Sequence, residues 1–296
     1  MAAEHIIPGL DDPTCGIAVA AKQLIARGVG GDGEVWVHSM WSPMVIKACI
    51  KALLAGKKLV RMPHGCTDPE KLRFHWHKKR WVAPIERWLF RRADRIIATC
   101  EDEVEWIKSF EPMVKKVELV PLSSPIPHLS AIASATADPS TLNLLFVGRL
   151  HPLKGVKFLI EALHAIQATS ESMRSMRSLR LKIIGKDEGE GPKLRRMASN
   201  YNLDVEFCGI VSEEVKNAAY DWCDALVLPT LSENFGLVIA EALERGKRVI
   251  TTDGAPAWGD GNDYGGRLVY LRGYRDGSPE DHIRLLRDAI TSLANA

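Results

Sequence analysis

Three observations predict an α/β chain of two Rossmann-like domains that face each other across a cleft. Short apolar or β-branched runs alternate with helical patterns between residues 16 and 110, a stretch rich in Ser, Ala and Pro interrupts them at 123–140, and the alternation then restarts. Strands separated by helices of about ten residues or more pair in parallel through right-handed crossovers, which builds doubly wound sheets. The first set of strands is read at HIIP (5–8), VWVH (35–38), KLVRMP (58–63), RIIAT (95–99) and VELVP (117–121). The second is read at LNLLFVG (142–148), LRLKIIG (179–185), DVEFCG (204–209), DALVLP (224–229) and KRVITT (247–252), with helices near 155–168, 191–201, 212–221 and 236–245. A last helical pattern at 280–295 carries Ile283, Leu285, Leu286, Ile290 and Leu293. The expected division is a first domain over 1–125, a linker over 126–140, a second domain over 141–275 and a terminal helix over 276–296. Open α/β sheets bind ligands at the carboxyl ends of their strands.

At 296 residues, 46% of them apolar, the chain holds enough material for two domains of roughly 100–150 residues. Its 39 basic and 37 acidic groups leave a net charge of +2, a weak field that demands no nucleic-acid partner. The six cysteines, Cys15, Cys49, Cys66, Cys100, Cys208 and Cys223, form no Cys-x-x-Cys pair and have no His-rich companion, which argues against zinc. Several fall in apolar patterns that suit reduced, buried thiols better than a disulfide framework. No apolar run approaches the roughly twenty residues that cross a bilayer, and Glu4, Asp11 and Asp12 stand where a signal peptide would carry basic and then apolar residues. The expectation is a cytoplasmic protein, soluble or peripheral on the inner face of the membrane.

In FVGRLHPLKG a strand ends, Gly148 permits a sharp exit, and Arg149 and Lys154 bracket a loop that opens a helix near Val156. Helix amides, the macrodipole and two cations then make an anion site suited to phosphate. The plainer alternative is a pair of solvated surface charges. In PTLSENFGLVIAEAL, Glu233, Asn234 and the amides of Phe235, Gly236 and Leu237 surround the start of another helix, and Glu241 sits inside it. A diphosphate or sugar hydroxyls fit such a place, and a ribose diol can donate to Glu241. Here the plainer alternative is a capping Glu233 and a salt-bridged Glu241 at the edge of the core.

Taken in order, GRLHPLKG and ENFGLVIAEAL resemble the C-terminal domain of retaining glycosyltransferases of the GT-B fold, family four, and the likeness extends over nearly all of 141–256. The resemblance implies that Arg149 and Lys154 bind the donor diphosphate, Glu241 the ribose, Glu233 the donor sugar near the reacting carbon, and the backbone of Gly209, Ile210 and Val211 the base. IPGLDDPTCGIAVAAKQLIARG resembles the family's opening strand, glycine loop and first helix, with Gly16 at a turn that usually has two glycines and Cys15 in place of one. Main chain and ligand nearly touch where such glycines are favoured. VHSMWSP and KLVRMPHGCTDPEKLRFHWHKKRWVAPIERWLFRRADRIIATCEDEVEWI resemble middle segments of members that assemble lipopolysaccharide and other surface glycans. His64, in the Pro-His-Gly turn, is implied to touch donor sugar or acceptor, and an ordinary imidazole there would suit proton handling. His38 and His151 are weaker candidates.

Between 71 and 95 nine cations (Lys71, Arg73, Lys78, Lys79, Arg80, Arg87, Arg91, Arg92, Arg95) stand against Glu86 and Asp94. Trp81, Ile85, Trp88 and Leu89 share helical spacing, and Pro84 interrupts the pattern. Either the helix rests on an anionic membrane surface, or its tryptophans pack on the first sheet and its cations are solvated.

The reading is a metal-independent, retaining hexosyltransferase, with no cofactor beyond its nucleotide-diphosphate sugar donor, acting on a glycan or lipid-linked acceptor in surface polysaccharide assembly. Only about a dozen residues, through 28–40, lead from the first helix into VWVHSMWSP, where relatives place two more strands, so the first domain is trimmed. That shortening motivates the alternative, a catalytically idle sugar-nucleotide-binding or scaffold subunit that needs a partner. The helix at 280–295 is the candidate for an abbreviated crossing back to the first domain.

Overall fold

The computed structural model describes residues 3–10, 16–122, 140–169, 177–259 and 261–295. Two compact units divide the chain, Met1–Ser123 and Ser124–Ala296. Of the linker expected at 126–140, all but Ser140 lies outside the described residues.

Unit 1 contains β1 (Glu4–Ile6), α1 (Gly16–Ala26), β2 (Glu34–His38), α2 (Pro43–Leu54), β3 (Lys58–Met62), α3 (Pro69–Arg73), α4 (Trp76–Arg92), β4 (Arg95–Ala98), α5 (Glu101–Phe110) and β5 (Val117–Leu119). Its strands are all parallel and lie side by side in chain order. Strand alternation sorts the side chains. Val35 and Val37 of β2, Leu59 of β3 and Ile96 and Ala98 of β4 form one core with α2, α4 and α5 through Val45, Cys49, Leu89, Phe90, Ile107 and Phe110. Trp36 and His38 are out of phase with the β2 valines and face the opposite side of the sheet, as does His5, the register partner of Trp36.

Unit 2 contains β6 (Thr141–Val147), a 3₁₀ turn (Pro152–Lys154), α6 (Val156–Ala168), β7 (Ser178–Ile184), α7 (Gly191–Asn200), β8 (Val205–Gly209), α8 (Glu213–Trp222), β9 (Ala225–Leu228), α9 (Leu237–Glu244), β10 (Arg248–Thr252), a second 3₁₀ turn (Pro256–Trp258), β11 (Leu268–Leu271) and α10 (Pro279–Ala294). The order β11-β10-β9-β6-β7-β8, all parallel, is the doubly wound one. It reverses between β6 and β9, so ligands are expected beside the ends of those two strands.

β11 is a four-residue strand outside the runs read from the sequence. α10 packs along α6, and Leu286, Ile290 and Leu293 join the unit 2 core. Its apolar stripe matches that of α6, where Leu159, Ile160 and Leu163 are buried.

Candidate active site

The loops after β6 and β9 are stitched together. Gly155 has φ 67°, and a Cβ there would lie 1.9 Å from the carbonyl oxygen of Pro229, so only glycine lets the first loop lie on the second. The Leu153 carbonyl accepts hydrogen bonds from Thr230 Oγ1 at 3.1 Å and from the Leu231 amide at 2.8 Å. Buried Lys154 is thereby brought to Glu233, with which it forms an ion pair from Nζ to Oε2. The Glu233 amide donates to the Gly254 carbonyl at 2.7 Å, and Glu233 Oε1 accepts from the Asn234 amide at 3.1 Å. Gly236, at φ 73°, then starts α9 at Leu237, so the residues named from SENFGL stand at a helix amino end beside a cation and a carboxylate.

Arg149 and Glu241 are held elsewhere on the same edge. Arg149 Nη1 donates to both carboxylate oxygens of Glu188 at 3.0 and 2.9 Å, and its side chain is 50% exposed. Glu241 accepts from Tyr220 Oη at 2.8 Å and pairs with Lys216 at 3.3 Å. Burial first, and then the Glu241 charge, push the Tyr220 hydroxyl far up, so it stays a donor. Gly148, Gly185 and Gly209 follow β6, follow β7 and end β8; a Cβ on Gly185 would lie 1.9 Å from the Gly148 carbonyl oxygen, and Gly209 has φ 70°. Beyond them Ile210 is 59% exposed and Val211 half-buried. Glu188, Tyr220 and Lys216 were not singled out from the sequence, since each lies on another element than the residue it holds. His151 caps the 3₁₀ turn through its Nδ1, 3.2 Å from the Leu153 amide.

In unit 1, His64 has left-handed φ 54°, and Gly65 follows at φ 70°. The turn is anchored because buried Glu103 accepts from the Gly65 amide and, at 2.8 Å, from the amide and hydroxyl of Thr99. His64 Nε2 lies 2.8 Å from His38 Nδ1, and His38 Nε2 lies 3.1 Å from His5 Nδ1. Burial, aided by the Lys71 charge, pushes His64 down to about 3, and burial with its histidine neighbours pushes His38 down to about 2. Near neutral pH His64 is therefore a neutral hydrogen-bonding group, held so by desolvation. A Cβ on Gly16, at the exposed start of α1, would meet nothing within 4 Å, and Cys15 lies outside the described residues.

Family models now bear on both halves. "Glycosyl transferases group 1" matches residues 141–288, half of the chain, and "Glycosyltransferase Family 4" matches 17–122. The chain belongs to the glycosyl transferases of group 1. This group 1 chain is 29% identical over 171 residues to a D-inositol 3-phosphate glycosyltransferase of Pseudarthrobacter chlorophenolicus, across 54% of itself and 40% of that protein. It is 31% identical over 112 residues to a phosphatidyl-myo-inositol mannosyltransferase of Mycobacterium leprae, across 37% of itself and 28% of the relative. It spans about 40% of the length of the curated D-inositol 3-phosphate relatives it matches. Among solved structures, WaaG, a glycosyltransferase involved in lipopolysaccharide biosynthesis, matches all of the chain and 92% of its own with a TM-score of 0.69 at 17% identity. Sucrose-phosphate synthase from Thermosynechococcus elongatus matches 94% and 70% with a TM-score of 0.67, also at 17% identity. These likenesses establish the GT-B fold.

The cationic segment of the group 1 chain is resolved into two faces. Helix α4 runs through Pro84 as 17 residues, burying Ala83, Glu86, Leu89 and Phe90. Leu89 therefore leaves the expected apolar surface row, whereas Trp81 (73% exposed), Ile85 and Trp88 stay on it. Arg80 stacks over Trp81 at 5.0 Å and Arg92 over Trp88 at 5.6 Å. Arg95 leaves the cationic patch, since Glu34 and Glu118 hold it at 2.8 and 3.1 Å. No helix among the described residues is long and apolar enough to cross a membrane.

Proposed function

We propose that this glycosyl transferase moves a hexose from a nucleotide-diphosphate sugar to a glycan or lipid-linked acceptor, with retention and without a metal ion, in surface polysaccharide assembly. The observation that carries the reading is the ion pair of Lys154 with Glu233, which joins the loops after β6 and β9 where the strand order of the second sheet reverses. Arg149, Lys154 and the amides at the start of α9 take up the charge of the departing diphosphate, each cation exchanging its carboxylate partner for phosphate. Glu241 accepts from the ribose diol, Glu233 from a hydroxyl of the donor sugar, and the backbone at Gly209, Ile210 and Val211 meets the base. The acceptor oxygen attacks on the face that the diphosphate leaves, the bond from sugar carbon to phosphate oxygen breaks, and the leaving phosphate takes the acceptor's proton.

A thermal-shift panel of UDP-, GDP- and ADP-sugars tests the donor half, because a ligand of the folded form raises the melting temperature. A shift with one base class, followed by transfer that keeps the anomeric configuration by NMR, supports the reading. No shift with any of them rejects it. A donor that binds yet stays intact with every acceptor offered would favour the idle subunit.

We also propose that α4 seats the protein on an anionic membrane surface. Trp81, Ile85 and Trp88 enter the interface and Arg80, Arg87 and Arg91 meet the headgroups, a combination of apolar burial and charge attraction. Co-sedimentation with phosphatidylserine vesicles should fall when Trp81 and Trp88 are replaced by Ala or when Arg87 and Arg91 are neutralised; unchanged partitioning rejects the idea.

A further inference from the structure

The loop after β2 is held in a conformation that its residues do not choose for themselves. Ser39 has φ 74° and Trp41 φ 70°, and His64 in the turn after β3 has φ 54°. Three of the six left-handed non-glycine residues among the described residues thus stand at the carboxyl ends of two neighbouring strands. Left-handed backbone is rare for a serine and rarer for a bulky tryptophan, and it lasts only where the surroundings impose it. Here a buried ion pair imposes it. Arg61 Nη2 donates to the Ser39 carbonyl at 3.1 Å and to Glu86 Oε2 at 3.0 Å, while Glu86 Oε1 accepts from the Trp41 amide at 2.7 Å. The guanidinium and the carboxylate, both fully buried, grip the loop on either side of Met40.

Stability alone does not account for this pair. Arg61 Nε and Nη1 are buried with no hydrogen-bond partner among the described residues. Well-packed apolar residues in place of a buried ion pair are often as stable or more so. What an apolar pair cannot do is donate to the Ser39 carbonyl and accept from the Trp41 amide at once. Open α/β sheets bind ligands beside the carboxyl ends of their strands, and strained residues cluster at functional positions. In the transfer reading the diphosphate, ribose and base all meet unit 2, which leaves the acceptor for this edge of unit 1. The loop suits it chemically: Ser39 and Ser42 are half-buried, and Ser42 makes no side-chain capping bond to α2.

We propose that Arg61 and Glu86 are positioning residues that clamp loop 39–41 in the shape that receives a hydroxyl-bearing acceptor. The clamp itself follows from unit 1 alone, while the acceptor rests on the transfer reading above. Glu86 lies on the buried face of α4, and Trp81, Ile85 and Trp88 lie on its exposed face, so the clamp also fastens the loop to that helix.

The test uses the full chain and hydrogen exchange read by mass spectrometry. In the wild type a peptide covering 39–42 should resist exchange; exchange there as fast as in an exposed loop would overturn the clamp. Arg61→Met combined with Glu86→Leu removes both charges and keeps the core filled, so the variant should melt no earlier than the wild type. Its 39–42 peptide should exchange faster while the strand peptides of both sheets stay protected, and wild-type exchange at 39–42 would overturn the clamp. If that variant does not fold, Glu86→Gln decides. Its single acceptor oxygen cannot serve Arg61 and the Trp41 amide together, so exchange at 39–42 should rise, and unchanged exchange would overturn the clamp. With a working donor and acceptor, the double variant should lose roughly tenfold to a hundredfold in kcat/KM for the acceptor, the scale of a misplaced reactant. Donor affinity in calorimetry should stay the same. Acceptor kinetics equal to the wild type, or a donor affinity that falls with them, would overturn the acceptor role. Wild-type protein that turns over no nucleotide sugar overturns the transfer reading and the acceptor role, while the exchange data still decide the clamp.

Discussion

Both sheets are parallel and fed by helices, yet they bring polar side chains together in different ways. In unit 2 the strand order reverses between β6 and β9, and the loops after those strands bring Lys154 to Glu233 within reach of water, while Arg149 pairs with Glu188 nearby. In unit 1 the order runs straight from β1 to β5, and the polar groups that meet are three rings on one face of the sheet, two of them buried. Full burial of an ion costs several kcal/mol unless its partner is well placed. Half-exposed pairs such as Arg149 with Glu188 are worth only about 0–1 kcal/mol. The comparison teaches that unit 2 keeps an exposed charge pair, Arg149 with Glu188, whereas unit 1 buries its polar groups, the Arg61–Glu86 ion pair and two rings of the histidine row among them.

The largest expected effect tests the rule that unit 1 tolerates no lone buried charge. Arg61 and Glu86 are both fully buried and 3.0 Å apart, and Arg61 Nε and Nη1 have no other partner among the described residues. Glu86→Ala should cost about 3–5 kcal/mol, seen as an earlier midpoint in urea; an unchanged midpoint would break the contrast between the units.

Next comes pH. The histidines of the row bind protons less readily folded than unfolded, from the ordinary 6.5 down to about 3 for His64 and about 2 for His38. Below 6.5 the unfolded chain takes up protons that the folded one refuses, so stability present above pH 6.5 is lost as the pH falls. The loss should reach at most about 1.4 kcal/mol per pH unit for each fully shifted histidine. Between pH 6.5 and 4.5, a folded His38→Leu variant should show a shallower decline in its urea midpoint than the wild type; equal slopes would remove the neutral-row description.

For unit 2, Arg149→Ala and Glu241→Ala should each weaken donor binding by about 1–3 kcal/mol, the scale of a charge-assisted hydrogen bond, in calorimetry. Unchanged affinity in both variants would remove the site assignment. The smallest effect sharpens the idea of exchangeable pairs. Glu188→Gln removes the carboxylate that competes for Arg149, so donor affinity should rise by no more than about 1 kcal/mol. Weaker binding would mean that Glu188 orients Arg149 rather than competing for it.

Of the eleven strands among the described residues, ten were legible, because parallel strands read as short apolar or β-branched runs. β11 (LVYL) was not picked out, although its apolar run is as long as β4 and β9. The loops around Arg149, Lys154 and Glu233 were legible as chemistry, because cations and carboxylates beside helix starts are a local pattern. Their partners were less so. Glu188 and Tyr220 lie 39 residues from Arg149 and 21 from Glu241. His38 stood only as a weaker candidate, and His5 was not a candidate, because neither carries a local signal of the ring it meets 26 or 33 residues away.

By itself the sequence determined where the strands and helices fall, which loops end them, and which residue types those loops offer, because hydrophobic periodicity and turn chemistry act over a few neighbours. Strand order, the meeting of Lys154 with Glu233, the capture of Arg149 by Glu188, the α10 packing on α6 and the histidine row were decided by tertiary structure. Those contacts depend on how distant segments close upon one another, and burial then sets whether a titratable group stays neutral, as His64 does.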